Sequence, residues 1–330
     1  MPDKKSASAS RRLARVSPTE TPGIRRIRAG SGFRYLDADG AAVLPVDRER
    51  IDELVIPPAW EDVWICADER GHIQAVGTDA AGRRQYLYHP QWRDRRDKGK
   101  FARALELAEA LPRARRRVTS ALRTDTLDRD RVLAVSFRLL DTAAPRVGSS
   151  RYLERHGSRG LTTLQRRDAS VEASVVTLSF PGKSGKRAFL QIDDDDLALA
   201  VSELVTGRAR SALLAHRLGN RRKPLTPSEV NDHVKTLTGG AFTAKDFRTL
   251  RGTILAAEAL AHIGVPQTAK EFKSAERLAV QATADALGNT PAVARSSYID
   301  PRVFARFARG ETLDLGIAPE SAIRILLARH

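Results

Sequence analysis

The sequence predicts an α+β protein, with a small β-rich N-terminal domain ahead of a larger, mainly helical domain. Three observations support this. Short apolar and aromatic runs separated by Asp/Gly turns fill the stretch up to about residue 95. Beyond residue 100, long segments place Ala, Leu and Val at helical spacing. And 330 residues with 42% hydrophobic content are enough for two cores.

The elements follow in order. Residues 1–20 are basic and Ser-rich, which predicts a disordered tail. A strand at 33–36 leads into Asp37-Ala38-Asp39-Gly40. The same four residues could open a calcium loop, but the glutamate needed at its end falls on Arg48, so a hairpin turn is expected. Strands at 64–67 and 72–76 flank Asp68-Glu69-Arg70-Gly71, and a strand at 85–88 follows the turn 81–84. Short helices are expected at 47–54 and 91–96. The β-rich domain is thus set at 21–100 and the helical domain at 101–330, with a linkage near 96–104.

In the second domain, 101–111 and 127–141 read as helices. Segments 171–180 and 186–192 read as paired strands joined by Pro181-Gly182-Lys183-Ser184-Gly185. The acidic run 193–196 could hold a metal, but its position before the apolar run 197–204 favours a helix cap. Thr226-Pro227-Ser228-Glu229 is a capping box with proline at the first helical position. A helix starts at Thr243 and runs to about Ile263, and another runs from Thr268 to a terminating Gly288.

Composition narrows the function. Lys and Arg number 56 against 40 Asp and Glu, a net charge of +16, which attracts polyanions. A ribosome-associated or membrane-surface protein would share that charge. With one cysteine, Cys66, neither an intrachain disulfide nor a cysteine-rich zinc site can form, which suits a reducing cytoplasm. Neither a signal-peptide core nor a membrane-spanning apolar run is found, so a cytoplasmic, nucleoid-associated location is expected. Gly182-Lys183-Ser184 hints at a nucleotide-binding loop, but the glycine required five positions earlier is Thr177, and no nucleotide site is expected.

One constellation carries chemistry. Arg146, Lys183, Arg248, Asn289 and Tyr298 occur in an order that suits attack of a phenol on a phosphodiester. Forked guanidiniums at Arg146 and Arg248 match the nonbridging oxygens, Lys183 on a tight turn can protonate the leaving oxygen, and the tyrosyl phosphodiester conserves bond energy for reversal. Neither a metal nor any other cofactor is expected.

Longer motifs surround these residues. Ile56-Pro57-Pro58-Ala59-Trp60, the segment 74–89, Lys245-Asp246-Phe247-Arg248-Thr249 and Asn289-Thr290-Pro291-Ala292-Val293 together resemble the poxvirus-type and bacterial branch of type IB DNA topoisomerases over nearly the whole chain after the tail. The resemblance implies a catalytic domain of the fold shared with tyrosine recombinases, acting as a monomeric clamp on double-stranded DNA and relaxing it without ATP through a 3′-phosphotyrosyl bond. It implies Tyr298 as nucleophile, Arg146 and Arg248 as transition-state arginines, Lys183 as general acid and Lys245 as its helper. Asn289 stands where many relatives have histidine. Gln85, Tyr86, Tyr88, Tyr152 and Thr163 match DNA-contacting positions, with sheet packing the plain alternative for the two strand tyrosines. Leu250 and Arg251 depart from the family, which leads one to expect an aromatic after Arg248-Thr249. A tyrosine recombinase or integrase would carry His-x-x-Arg in place of Lys245-Asp246-Phe247-Arg248 and a helical N-terminal domain. A noncatalytic DNA-binding protein would share the charge but not the ordered set.

Overall fold

The computed structural model describes residues 12–80 and 82–328, with the side chains of Arg151, Tyr152 and Ser184 left undescribed. The chain divides into two compact units, Met1–Lys98 and Gly99–His330.

The first unit is built on one antiparallel sheet. Its strands are β1 (Gly23–Ala29), β2 (Gly32–Leu36), β3 (Glu61–Cys66), β4 (Ile73–Thr78) and β5 (Arg84–Tyr88), in the order β2-β1-β3-β4-β5, with helix α1 (Pro45–Glu53) between β2 and β3. The Asp37 turn is a hairpin turn as expected: its carboxylate accepts from the N–H groups of Asp39 (3.0 Å) and Ala41 (2.9 Å). Ile24, Tyr35, Ile51, Val63, Ile65 and Ala75 form the core. The sequence reading passes over β1, because Arg25, Arg26 and Arg28 mask its alternation. Arg26 is spent inside the fold, where it donates to the carbonyls of Pro57 (3.1 Å) and Trp60 (2.5 Å).

Two expectations need correction here. The tail is expected to reach residue 20, and residues 1–11 lie outside the described residues. Residues 12–20, however, are held against the sheet. Ala14 donates to the Arg70 carbonyl (3.0 Å) and accepts from the His72 N–H (2.9 Å), and the Val16 N–H reaches His72 Nδ1 (3.2 Å). The short helices expected at 91–96 and 101–111, with a linkage at 96–104, are instead one helix, α2 (Pro90–Leu122). Its continuous buried stripe, Phe101, Ala104, Leu107, Ala108, Leu111, Ala114, Val118 and Leu122, carries it past Pro112. The boundary between the units, at 98/99, falls within α2.

In the second unit, α3 (Arg129–Ala143) is capped by Asp128, which accepts from the Arg131 N–H at 2.9 Å. It ends at Ala144 in the left-handed region (φ 46°), uncommon for a residue with a Cβ. After α4 (Ser150–His156) come β6 (Ala169–Glu172), β7 (Val175–Pro181) and β8 (Arg187–Asp193), an antiparallel sheet in that order. The single strand expected at 171–180 is therefore split in two, broken by Ala173 at φ 51°. Helix α5 (Asp195–Leu204) is capped by Asp194, which accepts from the Leu197 N–H (2.9 Å), as the capping reading of the acidic run requires. Asp194 also pairs with Arg138, and Asp196 with Arg123 (2.9 Å). A small hairpin follows, β9 (Ala215–Leu218) and β10 (Arg221–Pro224). It is too polar to be read from apolar alternation.

The remaining helices are α6 (Pro227–Thr238), α7 (Ala244–Ile263), α8 (Ala269–Leu287), α9 (Pro291–Ser297), α10 (Pro301–Phe307) and α11 (Pro319–Ala328). The capping box holds: Thr226 Oγ1 accepts from the Glu229 N–H (3.2 Å), and Glu229 accepts from the Thr226 N–H (2.9 Å). No helix among the described residues is long and apolar enough to cross a membrane.

The second core places Phe137 of α3 edge-on to Phe247 of α7, ring centroids 5.3 Å apart. Phe247 directly precedes Arg248, so this packing seats the turn that carries the arginine. Phe137 is fully buried. Phe137→Ala should destabilise the second unit by about 3–5 kcal/mol. All three tryptophans, Trp60, Trp64 and Trp92, belong to the first unit. The loss should therefore be read by denaturant titration of the far-ultraviolet circular dichroism rather than by fluorescence.

Candidate active site

A cavity in the second unit lies among the end of α3, the β7–β8 turn, the second turn of α7 and the end of α8. Arg146, Arg159, Lys183 and Arg248 all line it. Four residues far apart in sequence thus bring positive charge to one depression.

Arg248 is the deepest of them, 5% exposed. The capping box Thr243/Asp246 starts α7, and Asp246 is fixed in turn by Arg103 (2.8 Å). One turn on, the Arg248 guanidinium donates from Nη1 to the Ala144 carbonyl (2.6 Å) and from Nη2 to the Leu287 carbonyl (2.8 Å). Its Nε is buried without a partner. Leu250, where the family resemblance leads one to expect an aromatic, is simply a buried core residue.

Tyr298 stands at the end of α9, its N–H bonded to the Ala294 carbonyl at 3.0 Å, and is 9% exposed. The Arg248 guanidinium carbon lies 4.9 Å from the centre of its ring. Helix α7 also fixes the tyrosine's backbone. Thr253 Oγ1 is 3.2 Å from the Tyr298 carbonyl and accepts from the Asp300 N–H (3.2 Å). At Gly252 a Cβ would come within 2.8 Å of the Tyr298 carbonyl oxygen, so only glycine permits this approach. Burial pushes the phenol pKa up, but the nearby Arg248, followed by Arg146, outweighs it and leaves the pKa below its ordinary value. Burial likewise lowers the pKa of Arg248.

Asn289 follows the left-handed Gly288 that closes α8 as expected (φ 60°). Its N–H bonds the Ala284 carbonyl (2.8 Å), and its Oδ1 accepts from Arg146 Nη2, which also reaches the Gly288 carbonyl at 3.2 Å. This orients the amide so that its donor end is free. Nδ2 is buried with no partner. Beside Tyr298 the site therefore holds two unused donors, Arg248 Nε and Asn289 Nδ2. A buried donor left unpaired costs about 1–3 kcal/mol, a cost that an acceptor entering the cavity would relieve.

Lys183 is exposed on the single 3-10 turn Lys183–Gly185 between β7 and β8 and faces the same cavity. Lys245 is exposed at the start of α7 and does not line the cavity. Its three-residue spacing from Arg248 holds, but Arg248 turns inward between two carbonyls while Lys245 remains in solvent.

The sequence reading missed Arg159. Its N–H bonds the Pro181 carbonyl (2.7 Å), and its guanidinium pairs with the buried Asp168 (3.0 Å). It thereby ties the loop before the 3-10 turn Leu161–Thr163 to the end of β7, two residues from Lys183. No local motif marks it, because its two partners lie on separate elements.

Thr163 uses its hydroxyl on the Gly160 backbone, accepting from the N–H (2.9 Å) and donating to the carbonyl (3.1 Å). The Tyr152 side chain lies outside the described residues. In the first unit, Tyr86 and Tyr88 share a strand face as the two-residue period requires, rings near parallel with centroids 6.0 Å apart, and Tyr86 is exposed. Gln85 Nε2 donates to Asp79 Oδ2 (2.7 Å). Among the described residues no group of three His, Cys, Asp or Glu is placed to hold a metal.

Residues 89–307 match the family described as eukaryotic DNA topoisomerase I, catalytic core, and residues 32–79 match bacterial DNA topoisomerase IB, N-terminal domain. A DNA topoisomerase 1B from Acanthamoeba polyphaga mimivirus is 30% identical over 285 residues, covering 84% of this chain and 85% of that protein.

Arg248→Gln keeps the ring of Tyr298 buried and removes the larger of the two arginine attractions that oppose burial, leaving that of Arg146. The phenol pKa should then rise. Alkaline tyrosinate absorbance, taken as the difference from Tyr298→Phe, measures the shift. A phenol whose pKa does not move would assign the depression to another charge.

Proposed function

The chain belongs to the type IB DNA topoisomerases, and from that membership we propose that it relaxes supercoiled duplex DNA by transient single-strand cleavage, with Tyr298 as the nucleophile. The observation that carries the assignment is the pair of buried, unpartnered donors, Arg248 Nε and Asn289 Nδ2, beside a phenol whose pKa is depressed by arginines.

The steps follow from charge. A phosphodiester entering the cavity places its nonbridging oxygens against Arg146, Arg248 and Asn289. These donors are positioned in advance, so the charge that builds on those oxygens meets them without reorganisation. Tyr298 gives up its phenolic proton to water, its oxygen attacks phosphorus, and the bond from phosphorus to the 5′-oxygen breaks. Lys183 supplies the proton that the leaving oxygen needs. A 3′-phosphotyrosyl bond remains, the free 5′-hydroxyl strand swivels under torsion, and the reverse attack reseals the backbone. Asn289 does not titrate, so its hydrogen bonding is constant with pH. Lys245, being exposed, is a DNA-phosphate contact or a distant aid to Lys183 rather than part of the cavity.

Torsion drives the swivel, and no nucleotide takes part. The protein acts as a monomer closing on duplex DNA, with exposed Tyr86, its neighbour Tyr88 and Gln85 as contacts from the first unit. The high positive charge and single cysteine suit work on DNA in a reducing cytoplasm.

A relaxation assay on supercoiled plasmid, without ATP and in chelator, should show relaxation at no defined site. A recombinase would require paired sites, and a noncatalytic binder would leave the plasmid supercoiled. Tyr298→Phe should bind duplex normally and yield neither relaxation nor covalent adduct on a denaturing gel. Lys183→Ala should slow cleavage by about two to four orders of magnitude, the usual worth of general acid catalysis. Replacing the bridging 5′-oxygen by sulfur should nearly abolish that defect, since a thiolate leaves unprotonated, and should leave Arg146→Ala and Arg248→Ala slow. The opposite pattern of rescue would reverse the roles of lysine and arginines.

A further inference from the structure

Outside the catalytic cavity, a further guanidinium is buried with nothing to neutralise it. Arg166 opens the single 3-10 turn Arg166–Asp168 and is 8% exposed. Its Nε has no hydrogen-bond partner, and among the described residues no carboxylate pairs with it. The one acid of that turn, Asp168, is taken by Arg159.

The setting is built rather than incidental. The Arg166 N–H bonds the Ser211 carbonyl (3.0 Å), and Gln165 bridges to Ala212, so the turn is stitched to the segment leading into β9. Gly207, in the left-handed region at φ 103°, closes over the side chain, and a Cβ there would come within 2.3 Å of Arg166 Nη1. The gap is kept open by the absence of a side chain.

A neighbouring charge makes matters worse. Burial, then the like charge of Arg222, pushes the Arg166 pKa down. In the β9–β10 hairpin Arg222 lies directly across from Arg217, so both side chains leave the same face. Like charges in such a pair destabilise the hairpin. On the opposite face Lys223 has an acid partner, Glu229 (3.5 Å). Arg217 and Arg222 have none among the described residues.

Three guanidiniums gathered without an acid, one of them desolvated, are unfavourable in the free protein. The arrangement becomes favourable when an anion from outside joins it, and forked donors suit phosphate oxygens best. We propose that Arg166, Arg217 and Arg222 form a second phosphate-binding site, which grips the DNA backbone away from the scissile phosphodiester. None of the three lines the catalytic cavity. The site adds affinity and leaves the chemical step unchanged. It rests on duplex DNA being the substrate, not on the roles given to Tyr298 or Lys183.

The test is equilibrium binding of a labelled duplex to the full chain across a salt series, followed by anisotropy. For every phosphate the protein ceases to neutralise, the slope of log K against log salt should flatten by about 0.9. Arg222→Gln should remove about one such step and the double variant Arg166→Gln/Arg222→Gln about two, while Arg222→Lys retains most of the wild-type slope. Single-turnover cleavage at saturating DNA should match wild type in Arg222→Gln. Lys270→Gln removes one exposed charge at the start of α8 for comparison. An unchanged slope in Arg222→Gln overturns the proposal, and Arg222 is exposed, so that variant is not expected to misfold. An equal flattening in Lys270→Gln assigns the effect to net charge and overturns it as well. Adduct formation by the wild type is a separate readout. Its failure would remove the function assigned to Tyr298, not this site.

Discussion

The arrangement of the second unit depends on where the Arg248 guanidinium is placed. It is buried and bridges two carbonyls from different parts of the chain, Ala144 at the end of α3 and Leu287 at the end of α8, while lying against the ring of Tyr298. Placing a charge so deep is costly unless its donors are matched. Two of its three nitrogens donate to protein carbonyls, and the third, Nε, is buried without a partner. The same residue thus fixes two helix ends, lowers the pKa of the Tyr298 phenol and keeps one nitrogen unpaired at the cavity. Moving any one of the three helices would disturb all three functions.

Around it, helix termini do most of the positioning. Asn289 follows the glycine that ends α8, Tyr298 stands at the end of α9, and Arg146 lies two residues beyond the left-handed Ala144. Helix ends leave backbone carbonyls unpaired within the helix. Arg146 and Arg248 satisfy several of them, at Ala144, Leu287 and Gly288. Satisfying the fold and aiming the guanidiniums are therefore the same set of hydrogen bonds.

Much of this was legible in the sequence, and the exceptions have physical causes. Caps and stops at Thr226, Asp194 and Gly288 are local, so they can be read from a few residues. The five chemistry-bearing residues are legible because a phosphodiester demands particular groups, and their order narrows the choice further. Strand β1 is hidden because Arg25 and Arg28 face solvent beside Ile27, while Arg26 acts inside the fold, on carbonyls, where a polar residue reads as surface. Helix α2 runs past Pro112 because tertiary burial of its stripe outweighs a local breaker. Lys245 shows the limit of spacing arguments: two residues one turn apart share a helix face, yet their side chains part when one is drawn toward buried acceptors. Arg159 and Arg166 could not be found without coordinates, since what distinguishes them is the presence or absence of a partner far along the chain.

Ala144 has a consequence of its own. A residue with a Cβ in the left-handed region carries a steric penalty of about 1–2 kcal/mol, which glycine would avoid. Glycine would also loosen the peptide whose carbonyl receives Arg248. Ala144→Gly would therefore relieve backbone strain and weaken the seat of Arg248 in the same change. The alanine holds a strained backbone and, with it, a stiff peptide under Arg248.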